Sequence, residues 1–149
     1  MAKIFITELF KKISNTQKVA LNQETTKEGI TYVQSMILLF LDETIKQHDK
    51  DFEISQRDVE RTLSLRSSTV TEILNRMETG GFLKREKSRI DSRSNRLLLT
   101  GKANNFIPRF FNILGDVEDQ MTEGMDQTDR QKLKELLLKV SDNLEKMKL

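Results

Sequence analysis

Arg93 stands at the centre of a short polar stretch, Ile90-Asp91-Ser92-Arg93-Ser94-Asn95-Arg96, that runs directly into the apolar Leu97-Leu98-Leu99. Arg89, Arg93 and Arg96 crowd together there with Asp91 among them. An arginine held out on a loop tip can enter a narrow, strongly negative duplex minor groove, gaining electrostatically without a base-by-base hydrogen-bond code. Asp91 is out of place beside phosphates unless it braces the loop by pairing with Arg93 or Arg96. The pattern D-x-R-x-x-R is weak by itself and also describes a solvated hairpin. Its weight depends on the elements that hold it.

Upstream, two short helices are expected. The first begins at Ser55, with Asp58 as its capping partner, and turns Val59, Thr62 and Leu63 inward over about eight residues. Ser64-Leu65-Arg66 is a tight connection. Ser67 or Ser68 then caps a second helix, over about 67–80, whose Val70, Ile73, Leu74 and Met77 form the buried stripe. Gly80-Gly81 stops it, because glycine accepts the left-handed conformation at a helix end. Two short helices joined by about three residues make a helix-turn-helix. Phe82 to Lys87 and Arg96 to Leu99 read as two strands around a polar turn, so the span from about 82 to 99 is a wing.

In that arrangement the second helix is the reading element. Its exposed positions are Ser67, Ser68, Thr69, Thr71, Glu72, Asn75 and Arg76. Small hydroxyl residues at a helix start allow close approach to phosphates or bases, and Asn75 and Arg76 are long enough to reach a base edge or a phosphate. Arg57 and Arg66, at the start of the preceding helix and in the turn, suit phosphate contact, and Arg89 and Arg93 lie in the wing. Charge distribution agrees. Residues 55–99 contain eight of the ten arginines and a net charge of +4, whereas the whole chain carries only +2. Arginine clustered in one segment, between lysine-rich and acidic flanks, has the composition of a nucleic-acid reader set in a scaffold.

The remaining segments read as helices. One spans about Ile4 to Leu21, with Ile6, Leu9, Phe10, Ile13, Gln17, Ala20 and Leu21 on one face; Asn22 to Gly29 reads as a loop. Thr31-Tyr32-Val33-Gln34 is a capping box opening a helix that is apolar nearly all round, Met36 to Leu41, and therefore central. Phe52-Glu53-Ile54 has the pattern of a short strand. A fifth helix starts at Thr100 with Ala103, Ile107, Phe110, Leu114, Val117 and Met121 in line; Pro108 should kink it or mark a late start. A sixth begins at the capping box Thr128-Asp129-Arg130-Gln131 and repeats Leu133, Leu137, Val140, Leu144 and Met147. Seams with four-three steps suit helix association. They are expected to close a homodimer, with pairing inside one chain as the alternative.

At 149 residues the chain is long enough for one cored unit, and it has no cysteine, which removes disulfide, zinc-thiolate and thiol-redox functions. The first residues carry too many charges for a signal peptide, and no apolar run spans a bilayer, so a cytoplasmic, non-membrane protein is expected. His48, the single histidine, sits at a polar helix end. No phosphate-binding glycine loop and no nucleophile beside a base occurs, so no enzyme and no cofactor is expected. Asp116, Glu118, Asp119 and Glu123 read as a solvated face rather than a metal site.

Asp91 to Thr100 behind Ser67-Ser68-Thr69-Val70-Thr71 resembles the MarR (multiple antibiotic resistance regulator) family, as do Gly29 to Gln34 and Gly80 to Arg85. The resemblance covers nearly the whole chain and implies a mainly α fold with a small β-wing. It implies a winged helix-turn-helix over 30–99 and helical dimerisation regions over 1–29 and 100–149. It further implies a homodimer on pseudo-palindromic double-stranded DNA, and repression relieved by a small aromatic or phenolic ligand. By matching position, Arg93 would be the minor-groove arginine, with Asp91 and Arg96 as its supports. A ligand cavity is expected where the first, second and fifth helices meet the reading domain, lined by Phe10, Ile13, Met36 and Phe40. The chain departs from the pattern at Ser64, where many relatives have glycine, at Glu60, where a small alanine is common, and at Gly101 and Ala103 after the threonine. The missing cysteines exclude the cysteine-based peroxide-sensing branch. The alternative functions are a winged helix that binds DNA with no effector, or one that binds protein; the clustered arginines speak against the second.

Overall fold

A computed structural model describes residues 2–147. Its elements in chain order are α1 (Ile6–Thr26), α2 (Tyr32–Lys46), α3 (Gln56–Leu63), α4 (Ser67–Thr79), β1 (Leu83–Lys87), β2 (Asn95–Leu99), α5 (Gly101–Met121) and α6 (Gln127–Glu145). The strands form one antiparallel pair, with Leu83 opposite Leu99 and Lys87 opposite Asn95. The fold is therefore mainly helical with a two-stranded wing. The chain packs as two units, Met1–Leu114 and Gly115–Leu149.

The core of the first unit forms where apolar stripes from α2, α3, α4, the wing and α5 converge. Ile37, Leu38 and Leu41 of α2, Val59 of α3, and Val70, Leu74 and Met77 of α4 are all buried, together with Leu83 and Leu97 of the wing and Ala103, Phe106 and Phe110 of α5. At about 25 cal/mol per Å² of apolar area removed from water, a fully buried leucine or phenylalanine contributes about 1.5–3 kcal/mol. Burial on this scale fixes which face of α4 points inward and leaves Ser67, Ser68, Thr69, Thr71, Glu72, Asn75 and Arg76 exposed, as the periodicity requires.

Local signals place most helix starts. At α2, Thr31 Oγ1 accepts from the Gln34 amide at 3.1 Å, and Gln34 Oε1 accepts from the Thr31 amide at 3.0 Å. At α3, Asp58 Oδ2 accepts from the Ser55 amide at 2.8 Å. Thr100 Oγ1 accepts from the Ala103 amide and donates to Gly81 O at 2.6 Å, joining the start of α5 to the end of α4. Gly81, at φ +82°, makes the left-handed turn out of α4.

Several expectations are corrected. The first helix starts at Ile6 and continues to Thr26, so Asn22 to Thr26 is helical rather than loop. Polar residues do not end a helix unless the backbone is diverted, and the diversion comes only at Gly29, with φ +80°. Asn22 also serves the next element, because its Oδ1 accepts from the Tyr32 amide at 3.0 Å. Phe52 to Ile54 is not a strand; one backbone bond, from the Leu97 amide to Ile54 O at 2.9 Å, lays it beside the wing. Thr62 is exposed rather than inward. Neither Ser67 nor Ser68 caps α4: the cap position is Arg66, without a side-chain bond. Pro108 lies inside a helix that runs unbroken from Gly101 to Met121, so no late start occurs. In the second unit, α6 begins at Gln127, earlier than the expected box at Thr128, because Asp126 caps it by accepting from the Asp129 amide at 2.8 Å.

Between α3 and α4, Ser64 adopts φ 52°, ψ 43°, the only positive φ at a non-glycine among the described residues. Its amide and that of Leu65 both donate to Glu60 O, the latter at 3.1 Å. This explains the departure at Ser64, since the turn demands a left-handed residue and serine fills it at a steric cost. Ser64→Gly is expected to stabilise the chain by about 0.5–1 kcal/mol, the relieved strain less the extra unfolded-state entropy of glycine. Urea unfolding checks this, and an unchanged or lower midpoint would count against strain at Ser64.

Candidate nucleic-acid interface

The interface is built from one flank of α4, the start of α3 and the wing. Gln56, the first residue of α3, is the joint between the two helices. Its Nε2 donates to Thr71 Oγ1 at 2.8 Å and to Glu60 Oε1 at 3.0 Å. Thr71 in turn donates its only hydroxyl proton to Ser67 O at 2.8 Å. Thr71 thus leaves a methyl group and one spare lone pair, but no proton, on the exposed surface. Glu72 and Arg76 are exposed and paired with each other at 2.6 Å. Asn75 Oδ1 accepts from Arg85 Nη1 of β1 at 2.7 Å.

The wing loop, residues 88–94, is closed by polar bonds rather than by apolar packing. Ser88 N donates to Ser94 O, and Ser94 N to Asp91 O, each at 3.0 Å. Ser88 Oγ accepts from the amides of Ile90 and Asp91, both at 3.0 Å. Asp91 Oδ1 then accepts from the Arg93 amide at 3.0 Å and from Arg93 Nε at 3.2 Å. The open choice of partner for Asp91 is settled in favour of Arg93, whose side chain nevertheless remains 90% exposed. Arg96, expected as a second support of the loop, is turned elsewhere: it pairs with Glu86, its cross-strand partner, at 2.8 Å. A cross-strand neighbour is closer than any residue of the loop tip, so the strand register decides the pair.

Glu53 is the residue that sequence reasoning missed. It lies just before α3, yet Oε2 accepts from Ser88 Oγ at 2.5 Å and Oε1 from the Arg89 amide at 2.7 Å. The wing base is therefore pinned to the connection leading into α3. Its only sequence signal was a carboxylate inside an apolar triplet, Phe52-Glu53-Ile54. These bonds, the Ser88 hydroxyl first and then the Arg89 amide, hold the Glu53 carboxyl below its usual value, and Arg96 and Arg89 lower it further. Glu86 is lowered as well, by Lys84 and then Arg96.

A groove of about 760 Å³ lies between the start of α3 and the wing, touching α4 at Thr71, with Arg57, Arg85, Asp91 and Arg93 also on its walls. Arg57, Arg66 and Arg89 are all exposed. Of the expected positions, Arg57, Thr71, Asp91 and Arg93 share this groove, and Asn75 joins it through Arg85. The four residues expected to line a ligand cavity are not so grouped. Phe40 lies on a groove of about 330 Å³ with Thr44, Phe52, Ile54 and Arg61. Met36 is half-buried against the core. Phe10 and Ile13 are exposed on α1, at 37% and 49%. Amphipathic spacing gave their shared helix face but not what that face packs on.

Comparison with known proteins gives one consistent result. The MarR family model matches residues 28–94. The transcription regulator MarR from Oenococcus oeni PSU-1 is 30% identical over 93% of this chain and 99% of its own, with a TM-score of 0.66. The MepR–DNA complex from S. aureus is 21% identical over 94% and 96%, with a TM-score of 0.72. The reduced form of MarR from E. coli is 20% identical over 94% and 98%, with a TM-score of 0.83. No curated protein matches. Among the described residues no helix is long and apolar enough to cross a membrane.

Because the folded-state pKa of Glu53 is depressed, its bonds stabilise the wing above the unfolded value of 4.5 and are lost as pH falls through the lower, folded value. The Arg89 amide should therefore lose hydrogen-exchange protection below about pH 4.5 while core amides keep theirs. Glu53→Gln should show reduced protection at neutral pH with no further acid-dependent loss. Equal protection in both proteins across that range would remove Glu53 from this role.

Proposed function

Because this chain belongs to the MarR family of winged-helix, DNA-binding transcription regulators, we propose that it is a dimeric repressor of a pseudo-palindromic operator, released by a small aromatic or apolar ligand. The observation that carries the DNA part is the wing. Arg93 is fully presented yet oriented by Asp91, at the rim of a basic groove beside the polar face of α4. An oriented guanidinium loses less conformational freedom on entering a minor groove than a free one. In this reading α4 occupies the major groove. Ser67, Ser68, Thr69, Thr71, Glu72, Asn75 and Arg76 face bases or the nearest phosphates, and Arg57, Arg66 and Arg89 contact the backbone.

Dimerisation is supported by apolar surface left uncovered in each unit. Ile6, Leu9, Phe10 and Ile13 of α1 are exposed, and so are Leu137, Leu144 and Met147 at α6 and just beyond it. Contiguous apolar side chains on terminal helices mark association surfaces. A two-fold dimer presents two reading helices to two half-sites, which is why the operator is palindromic. The ligand part rests on the aromatic groove at Phe40 and Phe52, where Arg61 offers a cation to a small organic acid while Asp58, on the same wall, is occupied by its bonds to Ser55.

Arg93→Ala is expected to leave thermal stability intact, weaken binding of an enriched duplex, and reduce the salt slope by about one per wing. Fluorescence anisotropy across a salt titration measures this, and identical curves for variant and parent would sink the wing assignment. Benzoate titrated into the same complex should release the DNA; binding that is indifferent to it removes the ligand from the reading. Leu144→Glu with Ile13→Glu should convert the dimer to monomer in sedimentation velocity, with DNA affinity falling alongside. A monomeric parent protein would refute the dimer.

A further inference from the structure

Arg85 is the one arginine of β1, and its head is turned away from solvent. The side chain is 21% exposed, and its Nη2 is buried without a hydrogen-bond partner. A guanidinium so placed is costlier than one facing water. Its short hydrogen bond goes to the reading helix, from Nη1 to Asn75 Oδ1 at 2.7 Å, while the nearest carboxylate, Glu78, lies 3.9 Å away. Glu78 is too distant for a good hydrogen bond, so Asn75 is the partner that the geometry selects.

The chemistry of that pair is directional. Guanidinium has five donors and no acceptor, so only the carbonyl end of the Asn75 carboxamide can face it. Turning the carboxamide over would set N–H against N–H. The usual ambiguity between the two ends of an asparagine is removed, and the two Nδ2 protons become the unpartnered end of an exposed residue. One helical turn earlier, Thr71 is fixed by Gln56 from the other side. The Thr71–Asn75 flank of α4 is therefore set by neighbours on both sides before any DNA arrives.

We propose that Arg85 is a specificity-determining positioning residue: by taking the Asn75 carbonyl oxygen it presents Asn75 to the major groove as a hydrogen-bond donor. The donor selects a base edge that accepts, namely purine N7, guanine O6 or thymine O4. It discriminates against cytosine, whose groove edge offers the N4 donor. The inference rests on the DNA-reading role proposed for α4.

The test uses the full chain and duplexes that the parent protein enriches from a random library. Affinities are then measured for every single base-pair change, with Arg85→Met and Asn75→Asp beside the parent. Arg85→Met keeps an apolar stem but removes the donor, so preference should relax about tenfold at one position per half-site. Other positions, the salt slope and the melting temperature should stay unchanged. Asn75→Asp keeps an acceptor for Arg85 and removes the Nδ2 donor, so preference at the same position should shift toward cytosine without loss of stability. A uniform drop in affinity for Arg85→Met with a smaller salt slope would show an ordinary phosphate contact and overturn the proposal. So would effects of the two variants at different positions, or at none. Enrichment of no sequence by the parent protein would overturn the DNA-reading role itself and this proposal with it.

Discussion

The burial of a single stripe on α4 is the constraint on which the rest depends. Val70, Leu74 and Met77 are almost wholly removed from water, in a core shared with α2, α3, α5 and both strands. A helix with one stripe so committed cannot roll about its axis without exposing that stripe. Its polar face is consequently fixed relative to the wing, which belongs to the same core through Leu83 and Leu97. The interface inherits its geometry from apolar packing, and the polar bonds across it are fine adjustments of a position already set.

Those adjustments have a common form. Gln56 holds Thr71, Arg85 holds Asn75, Glu53 holds Ser88 and the Arg89 amide, and Asp91 holds Arg93. In each, a side chain from one segment fixes a group on the surface that faces outward. All are exposed or half-buried, so each contributes modestly to stability. Their effect is on orientation, which matters where a group must meet a rigid duplex edge in one geometry.

The elements were legible because the signals for them are local. Capping boxes at Thr31 and Ser55, glycines after α4, and the step from helical to alternating periodicity at Phe82 each lie within a few residues. The exposed face of α4 followed from its periodicity alone. What could not be read was pairing between segments. Asp91 had two candidate arginines, and only the strand register, which sends Arg96 to Glu86, decides between them. Glu53 and Ser88 are 35 residues apart, and nothing in either neighbourhood names the other. Phe10, Ile13, Met36 and Phe40 meet the same limit, since a helix face can be derived from spacing whereas its neighbour cannot. Ser64 is the instructive middle case: its departure from glycine was visible, but its meaning needed the left-handed φ.

The carboxylates beside the arginines have a consequence for how this surface behaves as a polyelectrolyte. Asp91 sits on Arg93, and Glu72 on Arg76, as counter-ions carried within the chain. The number of cations expelled from a duplex follows the net positive charge delivered to its phosphates, not the number of guanidinium groups in contact. Bound as a pair, Asp91 and Arg93 bring almost no net charge of their own. In the proposed complex with a duplex, association of this surface is therefore less sensitive to ionic strength than its arginine content suggests.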